Sequence, residues 1–340
     1  MRKLYLSHNY HNLNTSGNRA KHDNEKIMQS LGFINAGLPF TMFENKTLGF
    51  IVNLMGFIKC CITIKRGDII VIQYPLKKYY SVLCRWSRFR RAKTITLIHD
   101  LGCFRRKRLS QTQQIERLNL SDHIIASNPA MKQWLMEHGC KPSVSSLGIW
   151  DYISSSIPVS RPKFTHTLLW AGGISHRRNS FFESVGSCLK TIKIHIFSAS
   201  FPAEGIQNPE AFLIHGFENA DSLIKGAPGD YGLVWDGESI DSCKGPWGEY
   251  MAYNTPHKIS FYLLCGKPII IWKDAALAPL IISEGLGIAI DSLRNLESNL
   301  AQVTQEDYNV MCRNVVAFAS RLRKGEFLKK ALTNAINQIL

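Results

Sequence analysis

Residues 255–261, TPHKISF, set a histidine beside a lysine in what reads as the first turn of a helix. Thr255 is a good N-cap, Pro256 suits the first helical position, Ile259, Ser260 and Phe261 lead into an apolar body, and Gly266 with Pro268 closes the element. A cation in a first turn opposes the helix dipole at a cost of roughly 0.3–1 kcal/mol. Either His257 and Lys258 splay into solvent, or an anion sits between them and the free backbone N–H groups. These residues alone leave both readings open.

Other chemistry falls at the ends of apolar runs. Asp236, Gly237 and Glu238 follow 232–235, a run suited to a strand buried on both faces, and open α/β sheets bind ligands beyond the carboxyl ends of such strands. LIHD at 97–100 ends another run in His99 and Asp100; a carboxylate there can serve as a general base or simply cap the next turn. Gly172 and Gly173 precede Ser175, His176, Arg177 and Arg178. Glycine admits close backbone approach and arginine pairs with phosphate oxygens in bidentate fashion, so this is a candidate diphosphate contact. Near the N-terminus a turn-rich loop at 14–17 leads into the first long helix, where Ser16 and Gly17 could meet a phosphate. The chain has neither a Walker A motif nor a GxGxxG fingerprint, which argues against a P-loop NTPase or a typical dinucleotide enzyme.

The elements that must position these groups alternate, as in parallel sheets with crossover helices. Strands are expected at 3–6, 68–73, 94–98, 123–126 and 143–147, with helices at 19–31, 50–61 and 129–138. Residues 151–165, with serines at 154–156 followed by Pro158 and Pro162, break the pattern and read as a linker. Strands then resume at 168–171, 192–198, 232–235, 268–272 and 287–290. The fold class is therefore α/β: two doubly wound, Rossmann-like domains (1–150 and 166–315) facing across a cleft, with a helical segment at 316–340 packing back across them.

At 340 residues the chain can supply a core to each of two domains. Its nine cysteines include no CxxC pair, which suits reduced thiols better than a disulfide framework or a zinc site. No secretory signal is expected, because residues 1–7 read as a first strand; the apolar stretch 47–64, interrupted by Lys59, reads as a core helix rather than a membrane span. The formal net charge of +15 lies entirely in residues 1–150, which hold 23 Lys and Arg against 8 Asp and Glu, while the remainder is neutral. It concentrates in Lys77, Lys78, Arg85, Arg88, Arg90, Arg91 and Lys93, interleaved with Tyr79, Tyr80, Trp86 and Phe89, and again at 105–108. Basic residues mixed with aromatics suit anionic lipid headgroups. Nucleic acid would attract the same surface, but membrane is the partner expected and nucleic acid is not.

VWDGES, GEYMAYNTPHKIS and CGKPIIIWKDAALAPLI, with LIHD and the early SGNRAKHD, together resemble a bacterial glycosyltransferase family. It includes O-antigen β-1,6-galactofuranosyltransferases and the glucosyltransferase that extends glycans on serine-rich adhesins. The resemblance runs to about residue 330. It implies a GT-B fold, a nucleotide-sugar donor held mainly by the C-terminal domain, an acceptor held by the N-terminal domain, and no obligatory metal or other cofactor; no DxD motif is present to bind one.

Carried over by position, the nucleotide contacts are Ser16, Arg178, Phe217 in HGFENADSL, and Pro256, His257, Lys258, Ile259, Ser260 and Phe261; Gly17 and Gly173 join the nucleotide-sugar site from the reading of their loops above. Phe217 departs from one branch, which has tyrosine there; stacking on uracil survives the change and a hydroxyl hydrogen bond does not. WDG, NxPHK and WxxAALA agree better with the galactofuranosyltransferase branch and favour UDP-galactofuranose. The charge that develops in such a transfer, expected to be inverting, calls for Arg178, Lys258 and the start of the 256–265 helix on the leaving group and for a base, of which Asp100 is the first choice. Asp236, Glu238 and Glu249 are candidates for hydroxyls of the donor sugar or for turn capping.

The expected partners are a UDP-sugar, a lipid-linked or protein-linked glycan acceptor and an anionic membrane surface, at the cytoplasmic inner face of the cell membrane; a homo-oligomer is compatible with the sequence. Two alternatives accompany this reading. One is a UDP-glucose-dependent enzyme extending a glycan on an adhesin, and the other a nonenzymatic nucleotide-sugar-binding subunit.

Overall fold

Runs of β-branched residues bounded by turns form two sheets, each fully parallel. The computed structural model describes residues 1–13, 16–76, 79–104, 109–159, 164–202 and 204–340, with only the backbone of Ser16. The Ser16 side chain, Lys77, Lys78 and residues 105–108 lie outside the described residues. The chain divides into a unit of Met1–Asp151 with Gly325–Leu340, and a unit of Tyr152–Lys324.

The first unit holds β1 (Lys3–Tyr5), β2 (Ile34–Asn35), β3 (Ile69–Tyr74), β4 (Lys93–Ile98), β5 (His123–Ala126) and β6 (Ser143–Ser146), in the order β2-β1-β3-β4-β5-β6. Ile70 pairs with Thr94 and Ile95 with His123, so three strands buried over nearly their whole length stack in register at the centre. Around the sheet lie α1 (Ser16–Ser30), α2 (Lys46–Thr63), α3 (Tyr79–Phe89), α4 (Gln111–Leu118) and α5 (Pro129–Glu137).

The second unit holds β7 (Leu168–Ala171), β8 (Ile194–Phe197), β9 (Phe212–Ile214), β10 (Tyr231–Val234), β11 (Ile269–Trp272) and β12 (Gly287–Ile290), in the order β12-β11-β10-β7-β8-β9. Its helices are α6 (His176–Asn179), α7 (Phe181–Val185), α8 (Ala220–Gly226), α9 (Gly245–Gly248), α10 (His257–Leu264), α11 (Ala278–Ser283), α12 (Leu296–Ala301) and α13 (Gln305–Arg323). The last helix, α14 (Glu326–Ile339), belongs to the first unit and packs on α1, β5 and β6 through Leu328, Ala331, Leu332 and Ala335, spaced to share one helical face.

Several expectations require correction. Residues 316–340 are not one helix. Gly325 interrupts them at φ +69°, where a Cβ would stand 2.6 Å from Ile27 Cγ1, so only glycine fits the turn between α13 and α14. The expected linker is anchored on both sides of Asp151. Asp151 accepts the Phe327 and Leu328 N–H groups at 3.3 and 2.7 Å, capping α14, while Tyr152 stacks on His257 within the second unit. Helix α10 starts at His257, with Pro256 at the N-cap in extended conformation (ψ 122°) where Thr255 was expected.

Helix α2 is not a core helix. Only Gly49, Gly56 and Cys60 are buried, and its large apolar side chains face outward. By length and composition it could cross a membrane, and 17% of it is buried. The edge strands β2 and β9 were not expected; at two and three residues they are too short to show a period.

Candidate active site

Strands β7 and β10 are adjacent in the second sheet, and the chain leaves them toward opposite edges. Such a reversal opens a crevice beyond the carboxyl ends of the two strands. From β7 the chain passes exposed Gly172 (φ +136°) and Gly173 into α6, which carries Arg178. From β10 it passes Trp235 to Asp236, a carboxylate only 2% exposed. Gly237 then turns sharply at φ +114°; a Cβ there would meet the Lys244 carbonyl oxygen at 2.4 Å. Its N–H donates to the Arg178 carbonyl at 2.7 Å, tying the two loops together.

Asp236 is the hub of the crevice. It accepts Nε and Nη2 of Arg178 at 3.1 and 2.8 Å and Nδ2 of Asn179 at 3.0 Å. Lys258, in the first turn of α10, brings Nζ to 3.8 Å from Asp236 Oδ1 and 3.5 Å from the centre of the Trp170 ring on β7. Trp247 in α9 stands 5.3 Å from the Arg178 guanidinium. Two cations thus share one carboxylate between two indoles, with an excess of positive charge.

Burial sets the protonation of this cluster. It pushes Lys258 down to about 8 against the pull of Asp236, with the charge of Arg178 adding to the depression. The same burial would raise Asp236, but the charges of Arg178 and Lys258 and the bonds from Arg178 and Asn179 hold it below the usual carboxylate range. No side chain caps α10, so its opening N–H groups add to a cationic end of the crevice suited to an anion.

The other candidates are dispersed. His257 is buried and stacked on Tyr152 at 4.9 Å rather than splayed into solvent. Ile259, Ser260 and Phe261 lie in the core and hold α10 in place, behind half-buried Pro256. Glu238 and Glu249 are exposed. Phe217 is exposed in the loop after the edge strand β9. Asp236 does not face outward as a sugar ligand would, because its oxygens are taken up by cations. Trp170, Trp247 and Asn179 were not anticipated; their signal, an aromatic inside β7 and an amide directly after Arg178, is too common to stand out.

In the first unit the sheet reverses between β1 and β3. Gln73, at the end of β3, accepts from Asn24 on α1 at 3.0 Å and lies 2.9 Å from His99 Nε2; the His99 ring stacks on Trp150 at 4.3 Å. Asp100 follows His99 beyond β4 and is half-buried. Glu25, unanticipated and 3% exposed, takes the Ser7 hydroxyl at 2.8 Å and the Tyr10 hydroxyl, and burial raises its carboxyl to about 7. Gly17 is exposed in the first turn of α1. Among the described residues no three His, Cys, Asp or Glu gather as metal ligands.

Two family models cover nearly all of this architecture: the glucosyltransferase 3-like N-terminal domain matches residues 3–149 and the glucosyltransferase 3-like C-terminal domain matches residues 168–335. The chain belongs to the glucosyltransferase 3-like family. It is an enzyme, a glycosyltransferase. This glucosyltransferase 3-like chain is 26% identical over 286 residues to the β-1,6-galactofuranosyltransferase WbbI of Escherichia coli K12, covering 81% of each. It is 26% identical over 329 residues to glucosyltransferase 3 of Streptococcus gordonii, covering 94% of each. Among solved structures it resembles Anabaena Alr3699/HepE in complex with UDP, with 14% identity, 99% of this chain and 100% of that one covered, and a TM-score of 0.66. It also resembles WaaG, a glycosyltransferase of lipopolysaccharide biosynthesis, with 11% identity, 98% and 99% covered, and a TM-score of 0.54. The structural likeness establishes the GT-B fold.

Proposed function

We propose that this glycosyltransferase moves galactofuranose from UDP-galactofuranose to a hydroxyl of a lipid-linked cell-surface glycan, an O-antigen or another polysaccharide, at the inner face of the membrane. The observation that carries the reading is the Arg178–Asp236–Lys258 cluster at the reversal of the second sheet, beside the uncapped start of α10. A nucleoside diphosphate leaving group needs that charge. As the bond from the anomeric carbon to the diphosphate breaks, negative charge grows on the phosphate oxygens, and Arg178, Lys258 and the helix terminus stabilise it without a metal. The sugar passes to the acceptor oxygen with inversion, and Asp100 takes the proton of the acceptor hydroxyl.

UDP as the carrier is supported by the UDP-bound HepE neighbour, and galactofuranose by the WbbI relative together with WDG, NxPHK and WxxAALA. A second reading, UDP-glucose as donor and a protein-linked glycan as acceptor, is favoured by the longer match to glucosyltransferase 3. A donor screen by mass spectrometry with UDP-galactofuranose, UDP-galactopyranose and UDP-glucose separates them. Preference for UDP-glucose sinks the galactofuranosyl assignment, and failure of all three UDP-sugars to bind sinks the carrier as well. Retained turnover in EDTA is expected.

A further inference from the structure

The outward face of α2 is a single apolar stripe. Leu48, Ile51, Met55, Ile58 and Ile62, spaced three and four residues apart, are each between 45% and 73% exposed, and Met42 and Phe43 extend the surface upstream at 52% and 45%. The stripe is about 21 Å long. The opposite face seats the helix flat on its unit: a Cβ at Gly49 would meet Asn9 Nδ2 at 2.6 Å, and Gly56 and Cys60 are buried. A helix held sideways in this way does not span a bilayer.

Helix α3 lies alongside. Phe57 stacks on Tyr79 at 4.7 Å, and Trp86 Nε1 donates to the Cys61 carbonyl at 2.7 Å. Beyond that seam α3 and the turn after it expose Val82, Arg85, Arg88, Phe89 and Arg91, with Phe89 at 74%. Residues 46–93 contain eleven Lys and Arg against one acid, Asp68, which is paired with Arg2 at 3.0 Å.

We infer that α2 lies in the interface of an anionic bilayer, its stripe among the acyl chains and the α3 arginines on the lipid phosphates. The charge selects this occupant. A second copy would bring the same basic surface and repel, whereas an anionic bilayer offers an apolar layer with phosphates at its edge, matching a stripe rimmed by cations. The inference rests on the membrane location proposed above and adds which element enters the lipid.

Flotation of the full chain with phosphatidylglycerol–phosphatidylcholine vesicles and with pure phosphatidylcholine vesicles tests it, at low and high salt. Wild type should float with the anionic vesicles and lose most binding at high salt. The combined variant Ile51→Ser, Met55→Ser, Ile58→Ser should bind at least tenfold less while hydrolysing UDP-sugar at the normal rate. Ile62→Trp, which leaves the apolar face intact, should shift its emission to the blue on anionic vesicles. If the serine variant floats like wild type while Arg85→Glu with Arg88→Glu does not, insertion of α2 is overturned and the membrane location stands. If wild type floats with neither vesicle, both fall. A wild-type dimer that the serine variant splits would assign the stripe to a second copy and overturn the inference.

Discussion

Asp236 holds Arg178 through two parallel bonds, Nε to Oδ1 at 3.1 Å and Nη2 to Oδ2 at 2.8 Å, so the carboxylate fixes the plane of the guanidinium. Arginine hydrogen-bonded in this manner is pre-oriented, and a leaving group meets it without reorganisation. On the proposed mechanism Asp236 is the positioning residue for both cations.

Asp236→Asn keeps the shape and removes the charge that Arg178 and Lys258 share. Transfer should slow by about 100-fold, the scale seen when one preorganised electrostatic contact is lost. The variant should also unfold at lower denaturant, since two partly buried cations lose their counter-ion. Steady-state kinetics beside urea denaturation measures both, and full activity would remove Asp236 from the machinery.

On the proposed mechanism Lys258 should give the reaction an alkaline limit. With its ammonium pushed down to about 8, kcat/KM should fall as pH rises past that value. The folded chain releases this proton more readily than the unfolded chain, so between about 8 and the ordinary lysine range of about 10 the unfolded state binds more protons and stability from this group rises with pH. The titration of Lys258 would therefore lower the rate without itself driving unfolding. Lys258→Arg should carry the limb beyond the accessible range, because guanidinium stays charged above about pH 12; an unmoved limb would assign the titration elsewhere.

Asp100→Asn should cut transfer by roughly 10²–10⁴-fold, the usual contribution of a general base, while leaving UDP affinity within a factor of about two. Isothermal calorimetry with UDP and product formation with acceptor separate the two effects. Normal transfer would move the base assignment to another residue and leave the leaving-group chemistry untouched.

Glu25 places a pH dependence in the first unit. Its carboxyl is raised by burial to about 7, so the folded chain holds a proton that the unfolded chain has already lost. The contribution to stability is complete below about pH 4, declines as pH rises and is gone above about 7, with a slope of at most about 1.4 kcal/mol per pH unit. Glu25→Gln keeps an acceptor for the Tyr10 hydroxyl and removes the slope. Urea midpoints of the two proteins between pH 4.5 and 7.5 should converge at the acid end and separate in favour of the variant at neutral pH.

The strands were legible because IIVI at 69–72, LLWA and IIIW are unbroken apolar runs, as parallel strands covered on both sides must be. Lys258 and Arg178 were legible as cations placed where loops enter helices, and the structure brings both to Asp236. The burial of Asp236 was not. A carboxylate after a strand reads the same whether it faces ligand or counter-ion, and the cations that claim it lie 58 residues before and 22 after. Nor was the exposure of α2 legible from hydropathy, which is equal for a core helix and a surface one. The 48-51-55-58-62 spacing marked a face, and only Gly49 and Gly56, the flat side on which the helix sits, told which face turned outward.

The return of α14 to the first unit sets an order of events during synthesis. The whole of Tyr152–Lys324 leaves the ribosome before Gly325–Leu340, so the unit begun first is completed last. Until then the surfaces of β5 and β6 that α14 covers stay open, and Asp151 waits with its carboxylate for two N–H groups made about 175 residues later. A nonsense mutation at the codon of Gly325 would spare every residue of the crevice around Asp236 and still deprive the first unit of α14. Such a chain should be met by proteases at its beginning rather than at its cut end.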